Sequence, residues 1–343
     1  MYENKQTWNV KNLLKWATDY FTSKGIPQPR LSAELLLSDA LDYTRMQLYL
    51  NFERIPQEKD RKKFREYILR RIEHEPVQYI LNKSCFRNLE LFVDKNVLIP
   101  RPETELLVDR ALYAAFDVLR KKALLKKIED SVQGEQTLDL NILEIGTGSG
   151  AIALSLATEM DGFIRKQDEL QKLSVKAGTI PVTVFRIKWQ IFATENSEGA
   201  FKVATKNAAK ILPADCIENL KFIKSDIIPD DGNFYAENKE TIDIIISNPP
   251  YITDSGYNDL PREVREYEPV EALLAGKYGT EFYEKIIKTT RGLLAKNPGY
   301  YIFETDPVIC NSLVKSIEEY LKPAFIEVEK DYNNLERLVT VRI

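Results

Sequence analysis

The apolar positions of residues 8 to 74 repeat at three- and four-residue steps, which is the period of amphipathic helices. Two segments that follow the first helix, RLSAELLLSDAL and QEKDRKKFREYILRRIEHE, keep this period and are separated by proline-containing stretches. The pattern predicts a small N-terminal α-helical bundle domain over residues 1–75. The first helix should end at Gly25, and its apolar face should comprise Val10, Leu13, Leu14, Ala17 and Phe21.

The pattern changes after this bundle. In residues 76–99 the stretches PVQYI and LELFVDKNVLI predict the strands of a linker hairpin. Residues 100–343 begin with a long helical segment and then alternate short apolar strands with helices. This alternation predicts an α/β fold with a doubly wound, mostly parallel sheet and a final antiparallel pair. Residues 159–183 exceed the usual connection length, so we expect an insertion there, as a surface loop or a helix.

Composition and charge argue against several classes of protein. The 343 residues carry 48 basic and 52 acidic side chains, a net charge of −4, which argues against a sequence-independent grip on nucleic-acid phosphates. Cys85, Cys216 and Cys310 lie too far apart for a metal or disulfide pattern, and we expect no metal. The single histidine, His74, lies in a polar stretch, so a mechanism based on a histidine base is poorly supported.

The chain shows no apolar run of the roughly 20 residues that a membrane span requires. Its first residues, MYENKQTWNVKNLL, have neither a secretory apolar core nor the composition of a transit peptide. These features predict a cytoplasmic protein, with a mitochondrial location as the alternative.

A glycine-rich loop follows one of the predicted strands. In LEIGTGSGAIALSLA the strand that ends at Ile145 leads into Gly146, Thr147, Gly148, Ser149 and Gly150, and a helix opens at about Ala151. Glycines permit a tight turn and a close approach of the backbone, and the helix N-terminus offers N–H donors. The same residues also satisfy the dinucleotide-binding pattern, so a nicotinamide enzyme and a plain glycine turn are both alternatives.

Acidic residues follow the next two predicted strands. Glu195 comes directly after KWQIFAT, where a carboxylate can accept hydrogen bonds from ribose hydroxyls. It can equally complement the dipole of the following helix, which Ser197 would cap. Asp226 follows LKFIKS and would face the same crevice, where it could bind an adenine amino group or simply close a turn.

The fourth strand of this series ends in Asn248-Pro249-Pro250-Tyr251. Because the prolines cannot continue a strand, they hold Asn248 extended at its tip. The Asn248 side-chain carbonyl and the Pro249 main-chain carbonyl can both accept from one planar NH2 group, on which Tyr251 can stack. Two such acceptors favour a localised nitrogen lone pair and aim it at a methyl donor, so in-line transfer needs orientation rather than a strong base.

These motifs resemble those of class I S-adenosylmethionine-dependent methyltransferases. More narrowly, EPVQYI, VLIPRPETELLVDRAL, LEIGTGSGAIALSLA, SNPPYI and EVREYEPVEALLAG resemble, in this order, segments of the HemK/PrmC family of peptide chain release factor glutamine-N5 methyltransferases. The resemblance covers nearly the whole chain. It implies a Rossmann-like, mostly parallel seven-stranded sheet with a helical N-terminal domain. It also implies S-adenosyl-L-methionine as cofactor and the glutamine of a Gly-Gly-Gln motif in a class 1 release factor as substrate.

The resemblance also assigns roles to residues. The loop Gly146 to Gly150 would hold the methionine part of the cofactor, Glu195 the ribose, where the family usually has Asp, and Asp226 and Ile227 the adenine. The stretch Asn248 to Tyr251 would grip the acceptor amide. The segment Ile99 to Glu105 would wall the active site, with Arg101, Pro102 and Glu103 as candidate substrate-binding residues, and the N-terminal bundle would contact the release factor. The sequence departs from the family pattern at Asn196-Ser197, at FETDP (303–307) and in the insertion.

Other activities remain as alternatives. Adenine also presents a planar amine, so an N6-adenine nucleic-acid methyltransferase is the main one, although the acidic charge argues against it. A second is methylation of a ribosomal-protein glutamine. A non-catalytic binding module would tolerate loss of NPPY or of the glycine loop, and both are intact. We expect a monomer that binds no nucleic acid directly.

Overall fold

The structure is a computed structural model that describes residues 7–129, 135–176, 184–296 and 298–343. The chain forms two compact units. One comprises Met1–Lys83 and Leu260–Glu268, and the other comprises Ser84–Asp259 and Pro269–Ile343. The predicted domain limits at residues 75 and 100 stay predictions.

The first unit is helical, as the apolar period predicts. The five apolar residues named for the first helix are all buried, so that prediction is confirmed. PVQYI, however, was wrongly predicted as a strand: Val77 and Ile80, three residues apart, pack into the same helical core, and a helix puts both on one face. The helices are α1 (Val10–Ser23), α2 (Pro29–Leu41), α3 (Arg45–Leu50), α4 (Glu58–Arg71), α5 (Val77–Leu81) and α11 (Arg262–Tyr267).

Helix α11 belongs to this unit although it lies far along the chain. The Glu263 carboxylate pairs with the buried Arg71 guanidinium at 2.9 Å, and the Tyr267 hydroxyl donates to the Glu73 carbonyl at 2.7 Å. Nothing in the local sequence pattern of this segment predicts that long-range attachment.

The second unit opens with a hairpin of β1 (Ser84–Phe86) and β2 (Leu89–Leu91). Its first strand is SCF rather than the predicted PVQYI, and its second strand ends earlier than the alternation in LELFVDKNVLI suggests. A 3-10 turn, Pro102–Thr104, then leads into helix α6. The other helices of this unit are α6 (Glu105–Glu129), α7 (Ala151–Lys176), α8 (Glu198–Ile211), α9 (Ala214–Ile217), α10 (Asn233–Glu237), α12 (Glu281–Thr290) and α13 (Pro307–Leu321).

A seven-stranded sheet forms the centre of this unit, in the order β10-β11-β9-β6-β3-β4-β5. Strands β5, β4, β3, β6 and β9 are parallel to one another, and β11 lies antiparallel between β9 and β10. The predicted α/β class is therefore confirmed. The strands are β3 (Glu135–Ile145), β4 (Val184–Glu195), β5 (Leu220–Lys224), β6 (Ile244–Ser247), β9 (Tyr300–Glu304), β10 (Phe325–Lys330) and β11 (Glu336–Arg342), and a separate parallel pair is β7 (Ile252–Thr253) and β8 (Leu274–Gly276).

Both faces of the sheet are buried, which explains the near-continuous apolar runs of its strands. Ile142 and Ile244 pack into one hydrophobic cluster, whereas the next residues along, Leu143 and Ile245, pack into another. Adjacent residues of a strand point to opposite faces, so each central strand contributes to two cores.

The insertion predicted at 159–183 is helical where it is described. Helix α7 continues without a break to Lys176, and residues 177–183 lie outside the described residues. Strands β3 and β4 are longer than their apolar cores suggest, since they pair in parallel from Glu135 and Val184 onward.

Candidate active site

Sheet register brings the predicted site residues into one row at the strand ends. Thr194 of β4 pairs with Ile145 of β3, which pairs with Ser247 of β6, which in turn pairs with Phe303 of β9. The residues that follow these four are therefore neighbours along the carboxyl edge of the sheet, with strands spaced about 4.8 Å apart. We call this set the strand-end row: Glu195, Gly146, Asn248 and Glu304.

The glycine loop presents open space to a ligand. Gly146 and Gly148 have φ angles of 72° and 58°, in the left-handed region that favours glycine. A Cβ atom built on either residue meets nothing within 4 Å, whereas one on Gly150 comes within 3.1 Å of Leu154 Cδ1. The first two glycines thus leave room for a close approach to the backbone, and Gly150 lets helix α7 pack.

The side chains within this loop point into the protein. Thr147 and Ser149 are buried, and the Ser149 carbonyl accepts from Asn207 Nδ2 at 2.9 Å. The main-chain N–H groups of Gly146 and Thr147 both donate to the Thr194 carbonyl at 3.0 Å. The loop is therefore held by internal bonds, and it can meet a ligand mainly through its backbone.

Glu195 braces the same loop from the neighbouring strand. Its Oε2 accepts from the Gly148 N–H at 2.9 Å and its Oε1 from the Ser197 N–H at 2.7 Å. Ser197 also caps helix α8, which accounts for the Asn196-Ser197 departure from the family pattern. Each carboxylate oxygen can accept a further bond, so ribose binding by Glu195 stays a prediction alongside this structural role.

A second carboxyl group, which the sequence reading missed, lies beneath the loop. Glu144 is fully buried and its Oε2 accepts from Thr147 Oγ1 at 2.8 Å. Burial, together with the nearby charge of Glu195, raises the pKa of Glu144 to about 8. The signal for such a residue is an acid placed inside an apolar strand, as in NILEIG.

The two residues predicted to flank adenine lie differently. Asp226 is exposed beyond the end of β5, and its carboxylate pairs with the Lys285 ammonium. Ile227 is buried in the cluster that also contains Ile145. Asp226 is thus available at the surface, whereas Ile227 can offer a ligand only the edge of a packed core.

Asn248 follows the fully buried strand β6. Its Nδ2 donates to Thr104 Oγ1 at 3.2 Å, which engages the NH2 end of the amide and leaves the carbonyl end as an acceptor. Ser247 Oγ donates to the Ile145 carbonyl at 2.8 Å, tying the end of β6 to the strand that carries the glycine loop. Both ties fix where the amide stands in the row.

The rest of the NPPY stretch is buried or half-buried and packs against the core. Pro249 is buried, and Pro250 and Tyr251 are half-buried. The Tyr251 ring packs against the same cluster as Ile227. Burial raises the pKa of Tyr251, and the Glu304 carboxyl raises it further, so the phenol stays neutral.

The IPRPETE segment lies beside this stretch. Arg101 and Glu103 are half-buried and Pro102 is exposed. The charges of Arg101 and Glu103 both act on the pKa of Glu304, and that of Arg101 also acts on the pKa of Tyr251. Arg101 and Glu103 therefore lie near the acceptor side of the row, and Pro102 stands between them in the chain.

Glu304 is the other residue missed by the sequence reading. It ends β9 and is 1% exposed. Burial raises the pKa of Glu304 to about 7, although the Thr104 side chain acts to lower it. The signal is an acid that ends the apolar run GYYIFET, the position Glu195 holds in its own strand. The FETDP departure has a local role too, since Asp306 caps helix α13.

Among the described residues, no cluster of three or more histidine, cysteine, aspartate or glutamate side chains is arranged to hold a metal ion. Within the same ranges, no helix is long and apolar enough to cross a membrane.

Comparisons with known proteins identify relatives of this chain. Residues 12–81 match the family model described as the PrmC N-terminal domain. A curated release factor glutamine methyltransferase of Rhodopirellula baltica is 34% identical over 99% of this chain and 98% of its own length. That of Chlorobaculum tepidum is 33% identical, with 97% of each chain covered.

A solved structure, the N-terminal domain of human METTL16 in complex with SAH, is 16% identical over 99% of this chain and 95% of that chain, with a TM-score of 0.43. A likeness at this level does not bear on function. The identities to the two curated relatives extend over nearly the full length of both partners, and on them the chain belongs to the release factor glutamine methyltransferase family.

Proposed function

We propose that this chain transfers a methyl group from S-adenosyl-L-methionine to the side-chain amide N5 of the glutamine in the Gly-Gly-Gln motif of a class 1 peptide chain release factor, in support of translation termination. The observation that carries the proposal is the strand-end row. It places an open glycine loop and a fixed side-chain amide on adjacent strands. The names of the curated relatives supply the acceptor class.

The residues at the glycine loop fit this cofactor. The empty volume over Gly146 and Gly148 accommodates a close ligand, the start of helix α7 offers N–H donors, and Glu195 and Asp226 supply carboxylates along the same edge. When bound, S-adenosylmethionine supplies an electrophilic methyl group on a sulfonium. We assign the methionine part to the loop Gly146 to Gly150, the ribose to Glu195 and the adenine to Asp226 and Ile227.

The acceptor side must orient a weak nucleophile. A glutamine amide nitrogen has its lone pair delocalised into the carbonyl group. In our proposal the Asn248 Oδ1 and the Pro249 main-chain carbonyl accept hydrogen bonds from the two N–H groups of the glutamine amide. The Tyr251 ring packs on the plane of that amide. This grip favours a localised lone pair and aims it along the edge toward the cofactor. Positioning then supplies most of the rate acceleration.

The acceptor is a protein rather than a nucleic acid in this proposal. The net charge of −4 disfavours phosphate binding, and the family model matched in the N-terminal unit is that of PrmC. We assign the N-terminal unit to release-factor contact, and Arg101, Pro102 and Glu103 to the wall of the acceptor site. We further propose a monomer that works in the cytoplasm, with a mitochondrial setting as the alternative.

A methylation assay tests the proposal. The protein is incubated with cofactor and recombinant class 1 release factor, and tryptic peptides are mapped by mass spectrometry. We expect one added methyl group on the Gly-Gly-Gln glutamine, and none when that glutamine is replaced by alanine. Parallel reactions with duplex DNA and with ribosomal proteins test the adenine and ribosomal alternatives. Methylation there, with none on the release factor, would overturn the assignment.

A further inference from the structure

The Asn248 amide has two ends of similar size and opposite hydrogen-bonding character. If the carbonyl oxygen faces the acceptor nitrogen, it accepts a hydrogen bond from that NH2 group. If the amide turns over, two N–H groups face each other and the grip is lost. Something in the protein must therefore decide which end points outward.

Thr104 holds the inner end. Its hydroxyl lies 3.2 Å from Asn248 Nδ2, and the residue is buried at the end of the 3-10 turn Pro102–Thr104, directly before α6. A hydroxyl group alone does not fix the polarity of this bond, because it can rotate to donate or to accept. A further partner of Thr104 has to use its single proton.

Glu304 is positioned to be that partner. Phe303 pairs in register with Ser247, so Glu304 stands beside Asn248 on the next strand, where the Thr104 side chain acts to lower the pKa of its buried carboxyl. Protonated or ionised, the carboxyl keeps an oxygen that can accept, so in this arrangement Thr104 donates its proton to Glu304 and turns its lone pairs toward Asn248. The Asn248 NH2 group must then donate inward, and the carbonyl oxygen must face outward.

The cost of burying Glu304 also points to a role. The residue is 1% exposed, and within the described residues its Oε2 has no hydrogen-bond partner. A buried acid with an unpaired oxygen lowers the stability of the fold. A cost of this kind at a strand end indicates that the residue has a functional role. The charged and titratable groups that act on the Glu304 carboxyl, or share its surroundings, are Arg101, Glu103, Tyr251, Tyr283 and Arg337.

We propose that Thr104 and Glu304 are positioning residues that set the orientation of the Asn248 amide and so select an NH2-bearing acceptor. The inference rests on the proposed function, because it assumes that Asn248 grips the acceptor amide. It adds two residues whose effect reaches the acceptor only through Asn248.

The first test separates kcat from KM in a matched series. Thr104→Val removes the hydroxyl at nearly constant volume and should lower kcat on the release factor by on the order of tenfold, the effect of one hydrogen bond, with KM within about twofold. Thr104→Ser should recover most of the loss. Thr290→Val, which removes another buried hydroxyl that bonds the Ile286 carbonyl, should leave kcat unchanged.

The same logic applies to Glu304. Glu304→Leu removes the acceptor, frees the Thr104 proton to turn toward Asn248, and should also lower kcat by about tenfold. Glu304→Gln keeps an acceptor oxygen and should retain most of the activity. Equal kcat values in the Thr104→Val and Thr290→Val enzymes, or an unchanged kcat in Glu304→Leu, would overturn the inference.

A second readout needs no substrate. In protein labelled with 15N-asparagine, the Asn248 side-chain NH2 protons should exchange slowly with solvent in the wild type and in Thr104→Ser, and faster in Thr104→Val. The 13C titration of the Glu304 carboxyl should move to higher pH in Thr104→Val, since a donated bond is lost. If these shifts occur but the wild type methylates no release factor, the proposed function fails and the orientation device stands. If the shifts are absent, the device fails.

Discussion

Under the proposed function the strand-end row has a cofactor half and an acceptor half, and different kinds of chemical group form them. In the cofactor half, which comprises the loop Gly146 to Gly150 and Glu195, main-chain N–H groups donate to fixed internal acceptors. In the acceptor half, which comprises Asn248 to Tyr251 with Thr104 and Glu304, one side-chain amide is held by one side-chain hydroxyl. The backbone of the first half forms a surface that can bind a ligand, whereas the side chain of the second half provides a group that can orient a reacting atom. Changes in the first half should therefore alter cofactor affinity, and changes in the second should alter turnover.

Replacement of Asn248 should give the largest effect. Asn248→Ala removes the outward carbonyl and should lower kcat by about 10²–10³-fold, comparable to the loss of one positioned polar group at a reacting centre. Cofactor affinity should stay within about threefold, because the loop and Glu195 are untouched. Single-turnover methylation and calorimetric titration measure the two quantities. Asn333→Ala, at an exposed position, serves as the control.

Full activity in Asn248→Ala would refute the acceptor grip. A loss confined to cofactor binding would remove the distinction between the halves, because it would place Asn248 functionally in the cofactor half.

Each half also contains one buried carboxyl group with a raised pKa, about 8 for Glu144 and about 7 for Glu304, against an ordinary value of 4.5. The folded state therefore holds these protons more tightly than the unfolded chain does. Compared with alkaline pH, these two groups make the fold most stable below about pH 4.5, and this advantage is lost as the pH rises through about 7 and about 8, by on the order of 3 kcal/mol for Glu304.

Denaturant unfolding at about pH 5 and about pH 9 tests these two groups. Glu304→Gln and Glu144→Gln should each reduce the difference in unfolding free energy between the two pH values, and the exposed Glu237→Gln should not. An unchanged pH dependence in both variants would mean that neither carboxyl is proton-bearing at neutral pH. A finer pH series on each single variant would assign each step to its half of the row.

The sequence predicts the cofactor half and the centre of the acceptor half because both are marked locally. Glycines and prolines mark where apolar strands stop, and in parallel sheets the residues at those stops share one edge. The contact of Thr104 with Asn248 spans 144 positions, and Glu304 joins them only because β9 lies next to β6. The local periodicity of apolar residues does not predict the order of the strands in the sheet. Short apolar runs such as PVQYI are ambiguous for a related reason, since five residues fit either period.

Replacement of Gly148 should give the smallest effect, and that effect should be confined to cofactor affinity. Gly148→Ala places a methyl group in the open volume over the loop, at a φ of 58° where an L-residue costs roughly 1–2 kcal/mol. Cofactor affinity should fall by about tenfold, which corresponds to about 1.4 kcal/mol, while kcat at saturating cofactor should change little. The matched control is Gly162→Ala in the exposed middle of helix α7, where a Cβ also meets nothing within 4 Å but φ is ordinary.

That control should stabilise the fold by about 0.5–1 kcal/mol and leave affinity unchanged. If Gly148→Ala instead lowers kcat at saturating cofactor, the loop shapes the reacting geometry as well as the binding surface. Gly148 would then act in both halves, and the division between Gly146 and Asn248 would not hold. An unchanged affinity would mean that the open volume over the loop is not where the cofactor lies.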